Sequence, residues 1–287
     1  MKMSSPQALK NQSTKIVVGC SIKMDSHHAS VEKIMRNYWI EHAAALSAAY
    51  LRGDGNLRFE VVTRALLTHL SNAPARVLDV GGGHGQQAIL LARAGHTVTI
   101  LDIDPIMLEA ARQRLMQESM LVQSRVTLVE GAGEDALEKV GDGFDAVCCH
   151  SVLLYVEDPL PLLQSLVNST KRGGFVSVMS INSDAIAMRA GLQGHWTEAV
   201  EGLKHGHEAG VAYLPTAEPP LQTVRMLLAQ MGAHIKAWYG VGIFTDHLTE
   251  TLVAEDPQVV IEAEWLAGLQ DPYRGVARCF HLVAERV

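Results

Sequence analysis

The apolar residues of this chain fall into two kinds of run. Between residues 76 and 181, short and nearly continuous Val/Ile/Leu stretches alternate with longer segments whose apolar positions recur every three or four residues. The first pattern predicts strands and the second predicts helices. RVLDV (76–80), TVTILD (97–102), VTLVEG (126–131), FDAVCCHS (144–151) and GGFVSVMSI (173–181) read as strands. GQQAILLARAG (85–95), PIMLEAARQRLMQES (105–119), DALEKV (135–140) and PLPLLQSLVNST (159–170) read as the helices between them. Strands covered on both faces carry continuous apolar runs, and strict alternation with helices implies crossover connections. The fold class predicted is α/β, with a doubly wound, mostly parallel sheet.

The flanking segments follow other patterns. Residues 1 to about 30 are polar and mixed, and read as a disordered tail. VEKIMRNYWIEHAAALSAAYL (31–51) predicts a helix, RGDGNLR (52–58) a break, FEVVTRALLTHL (59–70) a second helix and SNAP (71–74) a turn. After residue 181 the order changes. Residues 182–222 are polar and carry His195, His205 and His207, as expected of an inserted cap. LQTVRMLLAQMGA then reads as a helix, and HIKAWYGVGIF and RCFHLVAER as two strands. A terminal strand pair beside a parallel sheet predicts an antiparallel edge and seven strands in all. The division expected is a tail (1–30), a helical cover (31–70), a nucleotide-type core (71–181), a cap (182–222) and an edge region (223–287).

Composition narrows the function. With 48% hydrophobic and 19% charged residues the chain can bury a sizeable core. The formal charge of −7 argues against a protein that works along phosphate backbones, although a local basic patch is compatible with it. The four cysteines, Cys20, Cys148, Cys149 and Cys279, have no CxxC spacing and read as reduced, buried thiols of a cytoplasmic protein. No apolar run approaches the roughly 20 residues that span a bilayer, so no membrane partner is expected. Homo-oligomerisation is left open.

The candidate chemistry starts at GGGHG, residues 81–85, in the first strand-to-helix turn. Glycines there let the backbone turn tightly and approach a ligand at the carboxyl edge of the sheet. Asp102 closes the next strand, with Ile103 beside it, where an acid accepts hydrogen bonds from ribose hydroxyls. Asp79 immediately precedes Gly81, Gly82 and Gly83. A carboxylate in that place repels a pyrophosphate but helps to hold an ammonium, which favours S-adenosyl-L-methionine (SAM) over a dinucleotide. No GxxxxGK[ST] phosphate loop is present.

With these motifs in place, the chain resembles the class I SAM-dependent methyltransferases, a Rossmann-like fold. VLDVGGGHG, LDIDPIML, GAGED, FDAVCCHSVLLYVEDP and KRGGFVSVM stand in the family's order. From about residue 30 to the end it is similar to the bacterial tRNA 5-carboxymethoxyuridine methyltransferase family, through GNLR, AGHTVTILD, HSVLLYVEDP, MGAHI, GVGIFTDHL and DPYRGVARCFHLVAER. The resemblance implies that Arg58, Gly81, Gly82, Asp102, Gly133, Glu134 and His150 hold the cofactor. It also implies an N-terminal cover over it. Arg58 suits a bidentate pair with the SAM carboxylate. Where tRNA-modifying members carry a lysine-rich run in the inserted segment, this chain has GLKHGHEAGVAYLPTAEPP, with one lysine and two glutamates. Fewer phosphate contacts follow from that.

The expectation is a methyltransferase acting on an N, O or C atom of a small molecule in specialised metabolism. The alternatives are carboxyl O-methylation of 5-carboxymethoxyuridine in tRNA and a non-catalytic SAM-binding partner protein. His150, Asn182 and His247 are the candidates for catalysis, and Trp196, Tyr213 and Tyr239 further polar or aromatic candidates for the acceptor site. The spacing of His195, His205 and His207 matches no metal motif, so no metal is expected.

Overall fold

The computed structural model describes residues 55–70, 74–206, 219–248 and 256–287. The tail at 1–30, the proposed helix at 31–51, His207 and Tyr213 lie outside them. Seven strands form one sheet: β1 (Arg76–Val80), β2 (Thr97–Asp102), β3 (Val126–Glu130), β4 (Phe144–His150), β5 (Thr170–Ile181), β6 (Ala233–Val241) and β7 (Cys279–Arg286). Their order is β3-β2-β1-β4-β5-β7-β6. The first five pair in parallel. β7 is the antiparallel strand, inserted between β5 and β6 at that side of the sheet.

The described helices are α1 (Gly55–His69), α2 (Gln86–Arg93), α3 (Pro105–Leu115), α4 (Met120–Gln123), α5 (Ala136–Val140), α6 (Pro159–Ser169), α7 (Ala187–Leu192), α8 (Trp196–His205), α9 (Leu221–Gln230) and α10 (Pro257–Gly268). They cover both faces of the sheet. On one face Val62 and Leu66 of α1, Leu91 of α2, Leu108 of α3 and Trp265 of α10 pack in one cluster with Val77, Ile100 and Met179. On the other, Leu162 and Leu166 of α6 and Leu228 of α9 pack with Leu78, Leu101 and Val178. Adjacent strand residues feed opposite clusters, as the pleat requires.

Local sequence explains several boundaries. Three helices open on Asp-Pro: Asp104, Asp158 and Asp256 each accept the backbone N–H two residues on, while the proline occupies the first helical turn. The expected break at 52–58 is shorter than the sequence suggests. α1 already begins at Gly55 and takes in Leu57 and Arg58. One glycine and one asparagine in a first turn cost little against the apolar face that follows them. α1 is tied across to α2 by Gln87, whose amide donates to Thr63 Oγ1 at 2.6 Å. That bond fixes α1, and Arg58 with it, against the first strand–helix unit.

Candidate active site

Strand order reverses between β1 and β4, and ligands of open α/β sheets sit in the crevice at the carboxyl ends there. The GGGHG turn leaves β1 into this crevice. Gly81, Gly83 and Gly85 have φ of 68°, 52° and 74°, a region that side chains disfavour. A Cβ on Gly81 would stand 2.3 Å from Val152 Cγ2, on the loop after β4. One on Gly82 would stand 2.8 Å from Asp79 Oδ2 and 2.9 Å from Ile100 Cγ2. Gly133, in the turn after β3, has Leu162 and Val80 within 2.6 Å of its missing Cβ. The crevice floor is thus backbone that tolerates no side chain.

Asp102 fastens this floor to β2. Its Oδ2 accepts the Gly83 N–H at 2.8 Å and its Oδ1 accepts the Asp104 N–H at 2.9 Å. Burial raises its pKa, and those backbone donors pull the other way. Asp79 is 2% exposed, and its Oδ2 has no hydrogen-bond partner. Burial, and then the Asp102 charge, push its pKa up to about 7. A buried carboxylate oxygen without a donor is costly and calls for a cation or a donor from a ligand.

These residues fit SAM. The Cβ-free floor admits close approach, Asp102 keeps lone pairs for ribose hydroxyls, and the orphaned Asp79 oxygen suits the ammonium. Ile103 follows Asp102 with its side chain 40% exposed, and Glu134 is exposed beside Gly133. Arg58 lies on α1 within electrostatic reach of both His84 and His150, which places it at the crevice. His84 itself was missed from the sequence, although it is the H of GGGHG. It is buried, and burial with the charges of Arg114 and Arg58 lowers its pKa to about 4.

His150 ends β4 and is half-buried. Its Nε2 lies 2.8 Å from Ser177 Oγ on β5, which lies 2.7 Å from His281 Nε2 on β7. Burial, then His281 and Arg58, hold the His150 imidazolium pKa well below the usual histidine range. Asn182 follows β5 and is 3% exposed. Its amide donates to the carbonyls of Gly275 and Ala277, at 3.0 and 3.2 Å, and so fastens the turn before β7.

His247 lies elsewhere along the same edge, in a pocket with Met188, Arg189, Leu192, Asp246 and Arg278. Arg189 Nε and Arg278 Nε are each 3.8 Å from Asp246 Oδ2. The loop bearing Asp246 and His247 is held by Glu264 of α10, 2% exposed. This carboxylate accepts the N–H groups of Ile243, Phe244 and Thr245 and the Thr245 hydroxyl, at 2.8 to 2.9 Å. Sequence reading found neither arginine nor Glu264. The helix carrying Glu264 shows only as an apolar run, and the pocket joins segments nearly 90 residues apart.

The remaining candidates are dispersed. His195, Trp196 and His205 lie on the surface around α8. His195 and His205 face Glu198 and Glu201, and Trp196 is 70% exposed. Tyr239 is buried, stacked on Trp265, with its hydroxyl 2.7 Å from His69 Nε2. Cys148, Cys149 and Cys279 are buried. Among the described residues no three His, Cys, Asp or Glu side chains gather in a metal-binding group, and no helix is long and apolar enough to cross a membrane.

A methyltransferase domain model matches residues 78–176, the span from β1 into β5. The tRNA 5-carboxymethoxyuridine methyltransferase of Escherichia coli (strain K12) is 28% identical over 236 residues, covering 81% of this chain and 89% of that protein. A ubiquinone biosynthesis O-methyltransferase of Xanthomonas campestris pv. campestris (strain B100) is 36% identical over 164 residues, covering 54% of this chain and 66% of that one. Among solved structures, magnesium protoporphyrin IX methyltransferase from Synechocystis PCC 6803 with bound S-adenosylhomocysteine (SAH) superposes with a TM-score of 0.58 at 17% identity. It covers 90% of this chain and 100% of that one.

Proposed function

We propose that the chain is a class I SAM-dependent methyltransferase, as its domain match and its fold support, and that it methylates a small, anionic acceptor molecule. The residues at the carboxyl edge after β5 and β6 carry this reading: Arg189 and Arg278, both facing Asp246, stand with His247 beside Met188 and Leu192, and two guanidinium groups against one carboxylate leave one positive charge there. Such a lining suits a compact ligand with one acidic group rather than a length of polynucleotide. A polynucleotide needs a strip of cations, whereas residues 183–206 carry three acidic side chains against one arginine and one lysine.

Bound SAM supplies a methyl group on a cationic sulfur. The chain holds and orients the reactants, and much of the rate in a displacement comes from that alignment. In this reading Arg58, Asp79, Gly81, Gly82, Gly83, Asp102, Ile103, Gly133 and Glu134 hold the donor. Arg189, Arg278 and His247 hold the acceptor, and Asn182 fixes the turn that presents Arg278. His150 stands beside the methyl. Because its imidazolium is strongly disfavoured it is a weak base, and an acceptor already ionised at neutral pH, such as a carboxylate, suits this site.

The test is transfer of labelled methyl from SAM to pooled carboxylic acids and phenols, with bulk tRNA in parallel. Label in a small acid or phenol is expected. Label in tRNA alone would overturn the small-acceptor reading and establish the second one, carboxyl O-methylation of a wobble uridine. That second reading is supported by the similarity to the Escherichia coli enzyme over 81% of the chain.

A further inference from the structure

Across β4, β5, β7 and β6 the sheet face beneath α1 is crossed by one chain of polar groups. His150 of β4 pairs with Met179 of β5, which pairs with His281 of β7, which pairs with Tyr239 of β6. Cross-strand partners share a face, and Ser177 lies two residues before Met179 on that same face. The Ser177 hydroxyl therefore sits between the two imidazoles and meets the Nε2 of each. Ser177 and His281 are fully buried among Cys148, Phe175, Met179 and Val283. Polar groups survive in such a place only by satisfying one another.

The donor and acceptor count decides which nitrogens carry protons. Burial and the neighbouring charges keep both imidazoles neutral, so each has one N–H. His281 Nδ1 is buried with no partner. A proton there would be an orphaned donor, which folded proteins avoid more strictly than an idle acceptor. The His281 proton is therefore on Nε2 and is donated to Ser177 Oγ. The Ser177 O–H is then left to donate, and its neighbours are the His150 Nε2 lone pair and the Cys148 sulfur. Imidazole nitrogen is the stronger acceptor, sulfur being a weak one. His150 Nε2 is thus bare, and its proton is on Nδ1.

We propose that His281, acting through the Ser177 hydroxyl, is a positioning residue that fixes His150 as the Nδ1–H tautomer, so that His150 presents a hydrogen-bond donor to the reaction crevice. The significance of that donor rests on the methyltransferase reading above; the tautomer itself does not. A donor beside the transferred methyl suits an acceptor atom that bears lone pairs and no proton. Arg58 of α1 is the charged neighbour of His150, and it acts on the crevice in the same sense.

The test is long-range 1H–15N correlation NMR of the full chain with 15N-labelled histidine, read with and without SAH. In the wild type, His150 should show a protonated Nδ1 and a bare Nε2, and His281 the reverse. His281→Phe frees the Ser177 hydroxyl to turn, and the His150 shifts should move toward a mixture of tautomers. His281→Gln places an amide donor near the former Nε2 and should restore the wild-type pattern, which a merely space-filling role would not do. Ser177→Ala should move His150 as His281→Phe does. A wild-type His150 with its proton on Nε2 would overturn the proposal without any variant needing to fold. So would His150 shifts that are the same in wild type, His281→Phe and Ser177→Ala. If SAH leaves the His150 signals unmoved while the tautomers are as expected, the placement of His150 at the methyl fails and the relay stands.

Discussion

Asp79 shows at a single residue how a cofactor site is maintained against the stability of the empty fold. Its pKa of about 7 in the folded chain exceeds the ordinary carboxylate value of 3.8. The native state therefore binds more protons than the unfolded chain between those values. Stability from this group is full below about 3.8 and is lost as the pH rises through about 7. Asp79→Asn removes that loss. The variant without SAM should gain on the order of a few kcal/mol relative to wild type at pH 8, and much less at pH 5. Denaturant unfolding at the two pH values checks the sign. If Asp79 faces the cofactor ammonium as proposed, the same substitution should weaken SAH binding at pH 8, because that anion is gone. Asp102→Ala should raise the SAM dissociation constant at least about tenfold, since hydrogen bonds to a charged acceptor are worth roughly 1.5–3 kcal/mol. Unchanged affinity in calorimetric titration would rule out the pose in which Asp102 holds the ribose.

At the scale of elements, legibility in the sequence follows the range of the cause. β1 and β2 were readable to the residue, because their apolar runs open on an arginine or a threonine and close before a glycine turn or on an acid. α3 and α6 were readable because Asp-Pro starts a helix by local chemistry alone. GGGHG and Asp102 were readable because the turn and the acid that accepts its Gly83 N–H lie within one strand–helix–strand unit. What depends on distant partners was not. The insertion of β7 between β5 and β6 leaves no mark in either strand's pattern. Ser177 and His281 meet only because those strands pair. Glu264 stands in no motif of the sequence, yet it receives four hydrogen bonds from the loop after β6. Glu264→Ala leaves three N–H groups, two of them buried, and a buried hydroxyl without their acceptor and should cost about 3 kcal/mol or more. Glu264→Gln keeps one oxygen and should fall between it and wild type. Urea midpoints order the three proteins, and variants within about 0.5 kcal/mol of wild type would show that the loop does not depend on this carboxylate.

For the whole molecule the issue is charge, and it bears on the acceptor directly. The chain carries a formal −7, and the segment after β5 adds no cationic strip. Proteins that grip nucleic acid release counterions in proportion to the phosphates they neutralise, so one making 6–10 phosphate contacts loses about 10³–10⁵ in affinity between 50 and 200 mM salt. Two arginines facing Asp246 leave one net positive charge, enough for one anionic group. The affinity of the full chain for bulk tRNA should therefore be weak at 50 mM salt, with a log–log salt slope of magnitude below about 2. SAH affinity should change much less over the same range if buried Asp79 and Asp102 hold the cofactor, because salt screens buried groups little. Filter binding of labelled tRNA and calorimetry with SAH measure the two slopes on one preparation. A steep tRNA slope beside a flat SAH slope would mean that a cationic surface is assembled from parts of the chain away from this pocket. The acceptor would then be sought among tRNAs, and the pocket would be read as the seat of one nucleotide's carboxylate. Two shallow slopes would leave the pocket as the acceptor site, with a ligand small enough to lie between Arg189 and Arg278.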